Sequence, residues 1–312
     1  MSGRATRDAY AHALLEVAEA EERLVVFDSD LARSTRTEWF AAEYPGRFFN
    51  AGIAEANMVS MAAGMAAVGL LPFVTTYAVF IGRAFDQIRQ SVAYAGAGVK
   101  VVATHSGLAA AYDGGSHQGV EDLALMRALP AMTVLSPADY ASAKEAVYRA
   151  AATPHPTYLR LGKFPVPDLP PPVCSSPNGD RVMCEGEDLV ILATGPLVAD
   201  ALSAADVLAA NGIAATVIDV TSLKPFDHQL AVRAAECGRV VTAEEHNIIG
   251  GLFSALLEAL AEEGLSARVV PVALRDEFGQ SGSWPELREH YRLTDAGILS
   301  AAERVLEEEV RL

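Results

Sequence analysis

Apolar residues fall into two regular series of short runs and longer periodic stretches, with a proline-rich break between them. Leu24-Val25-Val26-Phe27-Asp28 is a continuous apolar run of strand length, and similar runs recur at 47–50, 72–76, 99–104, 132–135 and 156–161. Between them lie helical patterns. The first, 6–19, puts Leu14, Val17 and Ala18 on one face, and the last in this half spans 137–152. Buried strands alternating with helices predict an α/β fold, a mostly parallel sheet covered on both faces.

From Gly162 to Glu185 the periodicity stops, and Pro165, Pro167, Pro170, Pro171, Pro172 and Pro177 crowd a stretch that predicts an extended, stiffened linker. A second alternating unit then predicts strands at 188–194, 214–220, 239–243 and 268–274. Its helices are expected at 197–210, 227–235, 250–262 and 295–308. The expected organisation is two domains of the same class, 1–161 and 186–312, joined by 162–185. A chain of 312 residues is long enough for each to bury its own core.

Composition narrows the function. Apolar residues make up 51 % and charged residues 21 %, which excludes a disordered chain. A net charge of −16 argues against a general nucleic-acid or anionic-membrane binder. No apolar run reaches the roughly 18 residues of a membrane span, and 1–10 lacks the apolar core of a signal peptide. Cys174, Cys184 and Cys237 have neither an even count nor metal-ligand spacing, so the expected setting is a reducing cytoplasm.

The chemistry centres on Glu55. It precedes Met58-Val59-Ser60-Met61-Ala62-Ala63-Gly64-Met65-Ala66-Ala67, a run read as apolar on every helical face, which predicts a helix buried all round. A carboxylate opening such a helix is either a cap suited to the helix dipole or a desolvated acid that needs a partner. Downstream, a strand leads into a helix carrying Tyr77, Phe80 and Arg83. Another strand ends in His105, and Asp113-Gly114-Gly115-Ser116-His117-Gln118-Gly119 is a glycine-rich loop with a second histidine.

In that order and spacing, Gly52-Ile53-Ala54-Glu55, Phe80-Ile81-Gly82-Arg83-Ala84-Phe85-Asp86-Gln87 and Asp113–Gly119 resemble the transketolase family, in the part that binds the aminopyrimidine of thiamine diphosphate. They are also similar to 1-deoxyxylulose-5-phosphate synthase. Val240-Val241-Thr242-Ala243-Glu244-Glu245-His246 and Gly250-Gly251-Leu252 resemble the family's C-terminal domain. The resemblance implies that Glu55 hydrogen-bonds N1′ of the aminopyrimidine and that Tyr77 and Phe80 pack on the ring. It places Arg83 at the cofactor, where synthase-like members carry arginine and transketolases usually carry an aromatic residue. It further implies that His105 and His117 face substrate as catalytic groups, that Asp113 contacts a sugar hydroxyl, and that Arg160 binds a sugar phosphate. Arg7, Asp30 and Ser34 match other substrate-side positions, although Arg7 also suits a surface ion pair and Asp30 a turn.

Family members hold the diphosphate through a metal, Mg2+ or Ca2+, on a Gly-Asp-Gly motif followed by an asparagine, hard oxygen ligands of the kind such a cation requires. This chain has no Gly-Asp-Gly, no Walker-type loop and no Gly-x-Gly-x-x-Gly opening a helix. The implied protein is therefore the smaller subunit of a split transketolase. It would need thiamine diphosphate and a separate N-terminal subunit carrying the metal ligands, in an α2β2 assembly, to move a two-carbon ketol unit from a ketose, expected to be phosphorylated, to an aldehyde. Pyruvate decarboxylation and carboligation of the synthase type, or a noncatalytic assembly subunit of the same fold, are the alternatives. A 2-oxoacid dehydrogenase β subunit fits the 113–117 loop poorly.

Overall fold

The computed structural model describes residues 3–307. Its first unit is a seven-stranded sheet. In space the order runs Ser222–Lys224, Thr133–Leu135, Thr157–Arg160, Lys100–Thr104, Leu71–Tyr77, Leu24–Asp28 and Phe48–Asn50. Six of these strands are parallel, and Ser222–Lys224 joins Thr133–Leu135 antiparallel. Every residue of Leu24–Asp28 and Lys100–Thr104 is buried, as the continuous apolar runs require of strands covered on both faces. The helix Thr6–Ala20 lays Ala9, Tyr10, Ala13 and Leu14 on the sheet, where the Tyr10 hydroxyl meets Thr75 Oγ1 at 2.6 Å.

The second sheet has six strands in the order Arg268–Leu274, Arg239–Asn247, Leu189–Ala193, Ala215–Asp219, Arg181–Cys184 and Cys174–Ser175. The first four are parallel and the last two antiparallel. Because Ser222–Lys224 leaves this unit to complete the edge of the first sheet, the two units are tied by backbone hydrogen bonds as well as side chains.

Three expectations change. The stretch 162–185 is not a bare linker: Pro165–Val166 pairs with Arg4–Ala5, Cys174–Ser175 is an edge strand, and Arg181–Cys184 lies between it and Ala215–Asp219. Two-residue strands beside prolines are too short to print a period on the sequence. The helix Glu55–Ala67 is not buried all round. Glu55, Met58, Val59 and Ala62 face the core, whereas Ser60, Met61, Gly64 and Ala67 lie exposed on the single chain. Third, the expected helix at 295–308 is observed as Asp295–Leu306, and Glu308 lies outside the described residues. Among the described residues no helix is long and apolar enough to cross a membrane.

Candidate active site at the carboxyl edge of the first sheet

Parallel strands deliver their following loops to one edge, and that edge is where α/β sheets bind ligands. Here Leu24–Asp28 leads to Asp30 and Ser34, Phe48–Asn50 to Glu55, Leu71–Tyr77 to Phe80, and Lys100–Thr104 to His105. The topology alone thus gathers residues spread over some eighty positions. Asp30, Arg36, His105 and Ala111 all adopt left-handed backbone conformations, with φ of 65°, 72°, 54° and 54°. Each costs about 1–3 kcal/mol unless side chains favour it, and such residues collect where geometry is imposed by function.

Glu55 opens its helix at 3 % exposure, with Oε2 3.2 Å from Nε of the largely exposed Arg83. Beside it the rings of Tyr77 and Phe80 lie parallel, centroids 5.6 Å apart and 9° between planes. Tyr77 also stacks on His105 at 3.7 Å, and Phe80 meets the edge of His117 at 5.6 Å. One row of rings therefore links both histidines. The groove of about 560 Å3 at the far end of this helix is lined by Ala63, Ala66, Leu70 and Ala97, among others, and by none of these site residues. Glu55 and Tyr77 are buried, while Phe80 is partly exposed and Arg83 largely so.

His105 is buried at 1 % exposure and accepts a hydrogen bond from Arg7 Nη1 through Nε2, at 3.4 Å, which leaves the Nδ1 proton for Thr104 Oγ1 at 2.9 Å. Burial first, then Arg7, Lys163 and Arg36, push its pKa down to about 2. A ring so held is neutral near neutral pH, with both of its nitrogens engaged. His117 is half-buried, with Nδ1 3.0 Å from Ser116 Oγ, and Asp113 is exposed on the preceding turn.

Arg7 Nη1 also donates to Ser34 O at 2.7 Å, and burial followed by repulsion from Arg36 lowers its pKa. Arg36 pairs with Asp8 at 2.8 Å, and Asn50 Nδ2 donates to Asp30 Oδ1 at 3.1 Å. Buried Asp28 shapes this loop by accepting from Leu31 N and from the hydroxyls of Thr35 and Thr37.

Arg160 is placed differently from the expectation. It lies at 4 % exposure, with Nε 2.9 Å from Asp122 Oδ2 and Nη2 2.9 Å from Glu245 O. Burial would raise the Asp122 carboxyl, but Arg160 and His246 hold it below its ordinary value. A guanidinium committed to a dry ion pair is not free to take a phosphate. Lys163, three residues on at the same strand end, is half-buried, forms no ion pair with a carboxylate among the described residues, and contributes to the field at His105. Lys163 and Arg36 are the cations that the sequence reading passed over. The signal for Lys163 was its place just beyond a strand's carboxyl end.

The arrangement fits one flat heterocycle: a desolvated acid for a ring nitrogen beside a pair of parallel aromatic rings. Among the described residues no group of three or more His, Cys, Asp or Glu side chains could hold a metal ion.

Comparison with known proteins gives a consistent picture. The model of the transketolase pyrimidine binding domain matches residues 2–167, and that of the transketolase C-terminal domain matches residues 180–298. The 6-deoxy-6-sulfo-D-fructose transketolase subunit SqwH of Clostridium sp. (strain MSTE9) is 40 % identical over 96 % of this chain and 94 % of its own length. The 1-deoxy-D-xylulose-5-phosphate synthase of Syntrophotalea carbinolica is 36 % identical over 94 % of this chain but only 46 % of that protein. A solved split gene transketolase, described as an inactive beta4 tetramer, superposes with a TM-score of 0.87 at 46 % identity, covering 97 % of this chain and 98 % of that one.

Proposed function

The chain belongs to the transketolase family, and from that premise we propose that it is the pyrimidine-binding subunit of a two-chain enzyme moving a two-carbon ketol unit from a ketose to an aldehyde. The observation that carries the reading is Glu55, a buried carboxylate at the carboxyl edge of a parallel sheet, beside the parallel rings of Tyr77 and Phe80. When bound, thiamine diphosphate supplies the nucleophilic carbon that takes up the two-carbon unit. Glu55 shares a proton with N1′ of the aminopyrimidine, in surroundings dry enough to make that contact strong. Tyr77 and Phe80 hold the ring by stacking, and Arg83 fixes the second carboxylate oxygen of Glu55. His117 moves protons at the sugar hydroxyls, a task suited to histidine near neutral pH. Asp113 accepts from a hydroxyl.

Arg7, His105, Lys163 and the backbone around Ser34 and Asp30 receive the far end of the sugar. The cations there, Arg7, Arg36 and Lys163, share few acids, so an anionic terminus, phosphate or sulfonate, is the fitting donor class. The name of the Clostridium relative, which refers to a sulfo-sugar, supports the same class.

The diphosphate and its Mg2+ or Ca2+ are assigned to a separate N-terminal subunit. Two relatives of nearly this length, one a transketolase subunit and one from a split gene, support that division, as does the inactivity noted for the tetramer of the latter alone. An α2β2 arrangement would cover the exposed side of Glu55–Ala67.

The direct test is Glu55→Gln in the reconstituted pair. Turnover is expected to fall far more than tenfold with melting temperature and partner association unchanged. Turnover within about tenfold of wild type, about 1.4 kcal/mol of barrier, removes Glu55 from the mechanism. Arg83 beside Glu55 favours a second reading, the synthase-like reaction. Donor screening separates the two, because CO2 release from pyruvate with no use of ketose phosphates would select the latter.

A further inference from the structure

The segment carrying Asp113 and His117 belongs to the first unit, yet much of what holds it comes from the second. It consists of two single turns, Ala111–Asp113 and Gly115–His117, outside any long helix or main sheet, with Ala111 at a φ of 54°. Left to itself, such a segment samples many conformations. Ser281 Oγ donates to Tyr112 O at 2.7 Å. Gln118, 2 % exposed, reaches across through Nε2 to Gln280 O at 3.0 Å and back to Ala111 O at 3.3 Å. At the entry to the segment, Glu245 accepts from Leu108 N at 2.8 Å and from Trp284 Nε1 at 2.9 Å.

The two backbones also touch. A Cβ on Gly115 would lie 2.4 Å from Gly279 O, and one on Gly279 would lie 1.7 Å from Gln118 Oε1 and 3.1 Å from Leu108 Cδ2. Only glycine permits that approach. The gripping loop is itself anchored. Tyr291 OH donates to Phe278 O at 3.3 Å, and Ser283 with Glu286 forms a capping box that starts the helix Trp284–His290 immediately after it.

We propose that loop 277–283 of the C-terminal unit is a positioning element for His117, acting through Gly279, Gln280 and Ser281, and that this is a task of the C-terminal domain in the reaction. Its catalytic half rests on the reading of His117 given above; its mechanical half does not. None of the three loop residues touches the reacting atoms. They fix where the histidine stands.

Amide hydrogen exchange over 111–118, measured on the chain, and steady-state kinetics of the reconstituted pair test both halves. Ser281→Ala and Gly279→Ala are expected to speed exchange there by about tenfold. They should lower kcat by about tenfold or more, since a displacement of about 1 Å suffices for that. KM for the ketose should stay within about twofold, because the anion-binding residues are untouched. Ser281→Thr, which keeps the hydroxyl, should restore both rates. Unchanged exchange in both variants overturns the coupling, and faster exchange with unchanged kcat overturns the positioning role. Should Gly279→Ala fail to fold, the Ser281 pair decides alone. Absence of ketol transfer by the wild-type pair would count against the functional reading, while exchange would still uphold or overturn the coupling.

Discussion

Asp219 is buried beside the guanidinium of Arg181, which also serves Asp139, and Asp180 is buried within reach of the charge of Asp219. Asp180 Oδ2 and Asp219 Oδ1 have no hydrogen-bond partner. Burial first, and then their mutual repulsion with other acids, pushes Asp180 up to about 7, while burial outweighs Arg181 to leave Asp219 at about 6. Both values lie above the ordinary carboxylate range, so between about pH 4 and 7 the folded state holds protons that the unfolded state has released. Stability therefore falls as pH rises through that window. Asp180→Asn should raise the melting temperature at pH 8 and change it little at pH 4, by no more than about 4 kcal/mol at the higher pH. A lower melting temperature at pH 8 would refute this. Arg160 and Lys163 make the complementary pair. Arg160→Ala strands Asp122 in the interior and should cost about 3–5 kcal/mol of stability. Lys163→Ala should leave thermal melts unchanged but raise KM for phosphorylated or sulfonated ketoses about ten- to hundredfold over that for uncharged sugars. Equal loss for both substrate types would remove Lys163 from the anion site.

At the scale of elements, Leu24–Asp28, Leu197–Ala210 and Arg268–Leu274 are read from the sequence with the bounds they have in the structure, because unbroken apolar runs or strong helical periods end there at turn residues. Trp284–His290 was missed although Ser283-Trp284-Pro285-Glu286 carries its capping box, a signal hidden by the short length of the helix. The short strands in 162–185 exist only through pairing with distant partners, which no local pattern encodes. The same holds within the candidate site. Glu55 and the 113–117 loop were legible as motifs, whereas the commitment of Arg160 depends on Glu245, 85 positions away, and on a domain contact. The helix Glu55–Ala67 is legible in character but not in surroundings. Its exposed Met61, Gly64 and Ala67 form a strip narrow enough for close helix approach, so Gly64→Glu should reduce association by placing a charge there. Sedimentation of wild type and variant checks this, and identical profiles would mean that the face is not an interface.

The whole molecule is an acidic protein with three unpaired cysteines, and on the proposed reading it carries half of a cofactor site. The central claim is that the other half lies on a separate chain. Calorimetric titration of thiamine diphosphate with Mg2+, into this chain alone and into its equimolar mixture with the N-terminal subunit, tests it most directly. The account predicts negligible heat for the chain alone up to about 100 μM cofactor, and low-micromolar binding, worth about 8 kcal/mol, by the mixture together with ketol transfer. Micromolar binding and full turnover by the chain alone would contradict it.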